Sequence, residues 1–537
     1  MRALAGTIAL ARLALRRDRI RLLAWILLAS GIVAGTASSI RALYTTLAER
    51  QQYAATVGAN PASAVLGGPG FGLPNLGGIV VAEMGSTLLS VVALAGMLLV
   101  VRYTRTEEQT GRAELLGSAA TGRQARLAAA LLAVGGAELV IGIATSAILI
   151  GYGLPVAGSV AFGLAVTGAG WVFAGVAAVA AQTVENARAA GGSAAAVFGI
   201  AFTLRAVGDA SGAAHAGSNL SNLAWLSPIG WVMEVRAYGG ERWWVLGMLL
   251  AAAVALAAAA AALSTRRDVG AGLVAARPGR PEAGRALASA WALAWRLQRG
   301  GLIGWTVGTA VGAGVFGAIA HDIQSIAGAN AGASRVFAEL GGPGRLVDSY
   351  LAWVLGLAGV AAAAFEVGAV LRLRSEESGL RAEQVLATAV TRWRWAASHL
   401  ATAGLGMLSV LLVSGLAVGL VHGLRGGDVS HELPRILAGA LVQVPAALVL
   451  AGLAMALFGV VPRLSGAAWP AVVAALVIGQ LGGLLRLNRW LMDISPFTQV
   501  PRVPGHEVTA APLVWLTAVA TLLVAAGLIR FRRRDIA

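Results

Sequence analysis

Two residue types are missing from this chain of 537 residues. It has no cysteine, which excludes disulfides, thiolate metal ligands and a thiol nucleophile. It has no lysine either, so all 41 basic residues are arginine. A Walker A loop needs its lysine to reach the β- and γ-phosphates of ATP. We therefore expect no nucleotide site of that kind in the chain.

Charge is also scarce, at 12% of residues, whereas 58% are hydrophobic. So little polar surface cannot cover a water-facing globule. Apolar segments of about twenty residues recur, long enough to cross a bilayer, and each must be a helix because lipid offers the backbone no hydrogen-bond partner. The sequence predicts an all-α membrane protein with twelve spans, near residues 22–42, 80–101, 127–154, 158–182, 187–208, 243–264, 302–320, 349–370, 397–421, 436–461, 468–485 and 512–530.

The arginines indicate the orientation. A net charge of +16 would suggest a nucleic-acid partner in a soluble protein. Here most arginines lie between spans on one side, which the positive-inside rule places in the cytoplasm. We expect no nucleic-acid partner, and both termini in the cytoplasm. The abundance of arginine, alanine and glycine is typical of a GC-rich bacterial genome, and we expect the membrane to be a bacterial plasma membrane.

We do not expect the first twenty residues to form a cleavable signal peptide, because arginines stand where its apolar region should be. Apolar residues recur at helical spacing from Leu4 to Leu15, while Arg12, Arg16 and Arg19 share another face. This pattern predicts a helix that lies on the membrane surface. The alternative is a solvated leader.

The chain repeats itself. Arg105 and Arg374 begin two copies of one charged motif, 269 residues apart, and Arg266-Arg-Asp268 returns as Arg533-Arg-Asp535. Such self-similarity predicts two halves, residues 1–270 and 271–537, with six spans each. Because six is even, both halves enter from the same side and form a parallel repeat. A transport path between the halves is then expected.

The strongest motif is the charged loop after the second span of each half. Its members are Arg105, Glu107, Glu108, Arg112 and Glu114 in one copy and Arg374, Glu376, Glu377, Arg381 and Glu383 in the other. The spacing predicts i, i+4 pairs from Glu108 to Arg112 and from Glu377 to Arg381. Two interpretations remain, local support of a helix or two equivalent surfaces that face two copies of a soluble partner.

These loops and the repeat resemble the fused twelve-span permease subunits of bacterial ABC exporters of the antibiotic and tetronasin efflux type. The resemblance implies an amphipathic helix before the first span of each half and a coupling helix in each charged loop. It also implies a separate ATP-binding subunit in two copies, which holds ATP and magnesium, and an amphipathic drug, antibiotic or lipid that is exported. The second copy has its glycine displaced, at Gly379 rather than one place later, so the two loops are expected to dock unequally.

Charged residues within spans usually face a cavity or a partner. Glu138, Glu83 and Glu366 are therefore candidates for the substrate path. Glu138 lies mid-span, and its counterpart one repeat later is Met407. Access to water is an alternative for Glu83 and Glu366, and pairing with Arg372 is a further one for Glu366.

The loops after the first span of each half combine glycine and proline, which permit tight turns. The candidate external gate consists of Gly67, Gly68 and Pro69 with Gly341, Gly342 and Pro343. An ordered turn without a gating role would explain the same residues.

Two other classes of function remain. Twelve spans in two parallel halves also describe proton-coupled secondary transporters of the major facilitator class, although the long external segments here argue against it. A membrane enzyme or scaffold is the third class. No metal-site or catalytic motif is apparent, so we predict a transport subunit that is not itself an enzyme.

Overall fold

The computed structural model describes residues 2–58, 61–117, 121–214, 218–274, 282, 284, 287, 289–328, 346–481 and 488–535. The chain divides into two compact units, Met1–Pro278 and Gly279–Ala537. Every α-helix and 3-10 or π turn of the described residues belongs to one unit or the other, and these residues contain no strand. The predicted all-α class is confirmed.

The first unit contains twelve α-helices among its described residues. They are α1 Thr7–Arg17, α2 Arg19–Leu43, α3 Leu47–Val57, α4 Pro61–Gly67, α5 Leu76–Val101, α6 Glu107–Gln109, α7 Arg112–Gly117, α8 Ala125–Gly151, α9 Val156–Thr183, α10 Ala187–Ala214, α11 Pro228–Glu234 and α12 Trp243–Ser264. The predicted N-terminal amphipathic helix corresponds to α1. It packs against the start of α8.

The second unit contains ten α-helices in the part that the structure describes. They are α13 Ala290–Gly328, α14 Leu346–Val370, α15 Arg372–Ser378, α16 Arg381–Leu386, α17 Arg392–Gly426, α18 Val429–Leu441, α19 Val444–Val460, α20 Ala468–Leu481, α21 Arg489–Met492 and α22 Ala510–Arg533. Helix α13 is continuous, so the second amphipathic segment runs without a break into the seventh span.

Twelve helical segments of the described residues are long and apolar enough to cross a membrane, six in each unit, which confirms the predicted number of spans. The tenth differs in detail. Residues 436–461 were expected to be one helix, but α18 and α19 meet at Val442 and Gln443. Pro445 is the second residue of α19 and lacks the N–H that a continuous helix needs there.

Within each unit some spans are enclosed and others face outward. Helices α5, α9 and α14 bury most of their residues, whereas α2, α12 and α22 bury about a fifth of theirs. Close approach depends on small residues. A Cβ at Gly142 of α8 would meet the carbonyl oxygen of Gly163 in α9, and a Cβ at Gly459 of α19 would meet that of Gly527 in α22. Glycine therefore lets the span backbones touch, as is common in lipid.

Candidate coupling site at the arginine-rich ends of the spans

In each half the helix of the second span continues into the charged loop and ends there at a turn. In the first unit α5 runs through a π-helical turn, Arg102–Thr106, into α6, and the chain turns at Gly111, whose φ is +71°. In the second unit the same place in the repeat is occupied by Leu380, with φ +58°. This region suits glycine and costs a residue with a Cβ about 1–2 kcal/mol. The displaced glycine of the second copy thus leaves a strained leucine.

Glu108 is the centre of a buried ion cluster in the first unit. Its Oε2 accepts hydrogen bonds from Arg105 Nη1 at 2.8 Å and Arg267 Nη1 at 3.0 Å. Its Oε1 accepts from Arg267 Nη2 at 2.8 Å. The predicted i, i+4 pair with Arg112 is wrong, because the helix breaks at Gly111 before it reaches that residue.

Arg105 joins three segments of the unit. Its fully buried guanidinium donates to the carbonyl oxygens of Ala181, near the end of α9, and of Ala271, after α12. Arg267 Nε donates to Gln182 Oε1 at 2.8 Å. The ends of α5 and α9 and the segment after α12 are therefore held by one set of charge-assisted hydrogen bonds, which are stronger than neutral ones.

The second unit repeats the central ion pair. Glu377, the counterpart of Glu108, accepts from Arg534 Nη2 at 2.7 Å, and Arg534 is the counterpart of Arg267. Arg374 Nη1 lies 3.7 Å from Glu377 Oε2, and its side chain is 33% exposed. The first unit thus adds a buried second arginine to a pair that both units contain.

Arg381, which was predicted to pair with Glu377, binds the neighbouring Glu376 instead. Arg381 Nε donates to Glu376 Oε2 at 2.8 Å, so the predicted i, i+4 pair of Glu377 with Arg381 is also wrong. The chain turns at Leu380, between α15 and α16, and this turn brings the guanidinium back to Glu376. Arg372 Nε lies 3.4 Å from the same carboxylate.

In each unit a further arginine binds backbone carbonyl oxygens at the end of the last span. Arg123 Nη2 donates to the carbonyl oxygens of Thr265 and Arg267 at 3.0 and 3.1 Å. Arg392 makes the same two bonds one repeat later, at 3.3 and 2.6 Å. Both units therefore attach the start of the third span to the end of the sixth.

The N-terminal helix α1 is attached to the charged loop of the first unit. Arg17 Nη1 lies 2.5 Å from Glu107 Oε1, and Asp18 accepts from Arg102 at 3.2 and 3.3 Å. Burial acts to raise the pKa of Asp18, but hydrogen bonds and the charges of Arg102 and Arg17 outweigh it, so the pKa lies below its ordinary value. Asp18 is therefore ionised at neutral pH and pairs α1 with the end of α5.

The second unit has a different contact at this place. Gln298 is equivalent to Asp18 when the starts of the two halves are aligned on Trp25 and Trp305. Its Nε2 lies 3.3 Å from His399 Nδ1. The attachment consists of charged groups in the first half and of an amide and an imidazole in the second.

Two short helices carry the exposed part of the candidate site. The predicted coupling residues that are exposed are Arg112, Glu114, Arg381 and Glu383. Ala113 and Ala382 are buried between them, so α7 and α16 pack on their own units and present charge outward. Arg105 and the side chains of Glu108, Glu376 and Glu377 are buried, and their contacts fix the loops in place.

Glu138 lies buried near the middle of α8. A Cβ added at Gly96 of α5 or Gly170 of α9 would collide with its carboxyl group, so the side chain occupies a slot left by two glycines. Neither carboxylate oxygen has a hydrogen-bond partner among the described residues. Met407, its counterpart, is also buried. A role of Glu138 in the substrate path stays a prediction.

The other two candidates of the substrate path have different surroundings. Glu366 lies buried one turn before the end of α14, and within the described ranges its Oε2 has no hydrogen-bond partner. Arg372, the partner considered for it, lies beside Glu376. Glu83 accepts a hydrogen bond of 2.6 Å from the hydroxyl of Tyr53, so α3 covers the carboxyl at that end of α5.

The first copy of the candidate gate, residues 67–69, is a turn beside a segment that a buried arginine holds by hydrogen bonds. Arg205, fully buried in α10, donates to the carbonyl oxygen of Val65 at 2.7 Å. Gly68 has φ +93°, which requires glycine. The second copy, residues 341–343, lies outside the described residues, and gating stays a prediction for both copies.

Two partners of the loop carboxylates, Arg267 and Arg534, are not apparent as coupling residues in the sequence. The sequence does contain a signal for these two arginines, because each belongs to an Arg-Arg-Asp motif that follows the last span of its half. A charged motif that repeats at nearly the same offset as the loops is a candidate partner for the loop carboxylates. Gln182, near the end of α9, accepts a hydrogen bond from Arg267 as well.

These features define a multi-pass α-helical membrane protein in which each six-span unit ties a charged loop to its last span. The chain is 42% identical over 532 residues to "Multidrug efflux system permease protein Rv1217c" of Mycobacterium tuberculosis (strain ATCC 25618 / H37Rv). The aligned region covers 99% of this chain and 95% of that protein. Residues 287–532 match the family described as "Multidrug efflux system permease Rv1217c, C-terminal domain". The chain belongs to this family of efflux permeases.

Proposed function

We propose that the chain is the membrane-spanning subunit of an ATP-driven exporter that moves amphipathic drugs, antibiotics or lipids outward. Its membership of a multidrug efflux permease family supports a transport role. A separate subunit, in two copies, binds ATP and Mg²⁺, and the chain itself has no ATP site. The arginine-rich ends and both termini lie in the cytoplasm, where that subunit is available.

The duplicated charged loop carries the proposal. Each loop presents exposed charges of both signs on a short helix that packs through a buried alanine. They are Arg112 and Glu114 in the first loop, and Glu383 and Arg381, which also binds Glu376, in the second. Exposed charges of both signs suit a soluble partner, because they set register and encounter rate at an interface. Two such surfaces on one chain match two copies of one partner.

The ion clusters supply a means of transmission. Glu108 is bonded to Arg267, after the last span of the first unit. Glu377 is bonded in the same way to Arg534 in the second unit. A push on either loop therefore acts on the second, third and sixth spans of that unit together. The first loop is bound more firmly than the second, so the two copies of the partner are expected to act unequally.

Charge reversal tests the docking. The full chain is purified with its candidate ATP-binding subunit, and association and ATPase activity are measured in liposomes. Reversing Arg112 and Glu114 together keeps the net charge, and so does reversing Arg381 and Glu383. Each double variant is expected to weaken association at least tenfold, about the value of one charge-assisted contact.

Glu507 provides the control, since it is exposed on the segment that precedes the last span, at the opposite end of α22. Glu507→Arg is expected to leave association unchanged. Wild-type association with both double variants would contradict the proposed docking surface. The absence of any ATPase partner that stimulates transport of an amphipathic dye would contradict the proposed function itself.

A second candidate function is proton-coupled secondary transport. Glu138 and Glu366 favour it, because buried carboxyls without hydrogen-bond partners in spans are typical of proton relays. Dye transport driven by a pH gradient in liposomes that lack any ATPase, and lost in Glu138→Gln and Glu366→Gln, would replace the first proposal by this one.

A further inference from the structure

A polar cavity of 350 Å³ opens between the charged loop and the spans of the first unit. Its lining comes from the end of α5, the start of α8, the end of α9 and the segment after α12. It includes Tyr103, Arg123, Arg126 and Ser264. The cavity thus lies where the arginine-rich ends of four segments converge.

The second unit fills the equivalent space. Trp395 is the counterpart of Arg126, and Phe531 is the counterpart of Ser264. Their rings lie 5.7 Å apart and are buried, and Phe458 packs on Phe531 at 5.3 Å. The same fold can therefore be closed by aromatic side chains at this place. The first unit has instead an arginine, a small hydroxyl residue and an open volume.

Two polar groups of the cavity have unused hydrogen-bonding capacity. The hydroxyl of Tyr103 is buried near the carboxylate of Asp18, but it forms no hydrogen bond with the described residues. The guanidinium of Arg126 forms neither a hydrogen bond nor an ion pair with the described part of the chain, although it is partly buried. A buried hydroxyl without a partner is costly, so a ligand or water must satisfy it.

The acidic residues of the lining do not neutralise Arg126. Glu108 is already bonded to Arg105 and Arg267. Asp268 is exposed at the rim, where water and salt screen its charge. Two carboxylates lie close by, Glu107 beside Arg126 and Asp18 beside Tyr103, and both are paired with arginines of their own. The unpaired charge of the cavity is therefore positive.

A second, smaller pocket adjoins the cavity at Tyr103 and Arg126. Leu10, Leu13 and Ala14 of α1 line it together with the ion pair of Arg17 and Glu107. Leu13 is half exposed. Apolar surface beside a free guanidinium, at the ends of the spans, suits a molecule with a charged head and a hydrocarbon tail.

We propose that the cavity beneath the first unit binds the phosphate group of an anionic phospholipid, through Arg126 and Tyr103. Guanidinium groups match phosphate oxygens with parallel hydrogen bonds, and the tyrosine hydroxyl donates a further one. The acyl chains lie in the bilayer beside the exposed side of α1, at Leu13. The second unit, closed by Trp395 and Phe531, binds no such ligand.

Lipid titration of the full chain in detergent tests the site, with the apparent melting temperature as readout. The probes are phosphatidylglycerol and a diacylglycerol with the same acyl chains, which lacks the phosphate. We expect stabilisation by phosphatidylglycerol alone. Arg126→Ala is expected to lower its apparent affinity about ten- to a hundredfold, and Tyr103→Phe by a smaller factor. The double variant Arg126→Trp with Ser264→Phe, which copies the second unit, is expected to abolish the effect.

Arg188→Ala is the matched control, because it removes one exposed positive charge from the start of α10. Stabilisation by inorganic phosphate alone, lost in Arg126→Ala, would support the phosphate site but assign it to a water-soluble ligand. Equal binding of both lipids, or equal loss in Arg188→Ala and Arg126→Ala, would overturn the proposal. Tyr103→Phe removes a single unpartnered hydroxyl and keeps the test valid if the bulky double variant fails to fold.

Discussion

Replacing Glu108 by glutamine should destabilise the protein more than the same change at its counterpart Glu377. Glu108 accepts three hydrogen bonds from two guanidiniums, and one of these, Arg105, is completely buried. Glutamine keeps the shape but removes the negative charge. It also turns an amide N–H₂ group toward arginines that can only donate. Arg105 is then left as a buried charge that has only the carbonyl oxygens of Ala181 and Ala271 as partners and no paired carboxylate.

The two variants differ in how deeply the arginine that loses its carboxylate partner is buried. Breaking a buried ion pair by removing one partner costs about 3–5 kcal/mol. Glu377 accepts one short hydrogen bond, from Arg534, whose side chain is 19% exposed, and Arg374 is 33% exposed. Water can therefore partly solvate both freed charges. The loss there should be about 1.5–3 kcal/mol, typical of a hydrogen bond between charged groups. We therefore expect a difference of about 2 kcal/mol between the variants.

Unfolding of the purified chain in mixed micelles, followed by helical circular dichroism, measures both losses in the free energy of unfolding. A double-mutant cycle of Glu108→Gln with Arg267→Gln separates the pair from its surroundings. Equal losses at the two positions, or a larger one at Glu377, would refute the assignment of a stronger cluster to the first unit.

Three further predictions follow from local geometry. Asp18→Asn should lower the free energy of unfolding at pH 7. The difference from wild type should shrink as the pH falls below the ordinary carboxyl pKa of 3.8 and vanish below the lowered pKa of Asp18 in the folded chain, since protonated Asp18 has lost the same ion pairs. Unfolding at pH 7 and pH 3 measures this. Gly96→Ala should cost about 1–3 kcal/mol by overpacking, and adding Glu138→Ala should restore most of it, as thermal unfolding of the single and double variants would show. Leu380→Gly should stabilise the second loop by about 1 kcal/mol, whereas Gly111→Leu should destabilise the first, and hydrogen exchange of the two loops distinguishes them.

The sequence by itself determined the class and the number of spans. A bilayer requires long apolar segments with internally bonded backbones, and this requirement is visible in composition and spacing alone, as in Trp243–Ser264 or Ala510–Arg533. The repeat made the charged loops visible, because both copies have the same residues at a constant offset. The family resemblance rested on those same residues, and the comparison with known permeases confirmed it.

Tertiary structure alone decided the partners of the loop charges. Helical spacing predicted that Glu108 would pair with Arg112, but the left-handed turn at Gly111 ends the helix between them. The partner is Arg267, distant in sequence and brought near by the return of the sixth span. Equally, nothing in the spacing of Arg126 shows that its counterpart fills a space which the first unit leaves open. Local periodicity reports contacts within one helix, whereas an ion pair or a cavity between helices depends on how the helices pack.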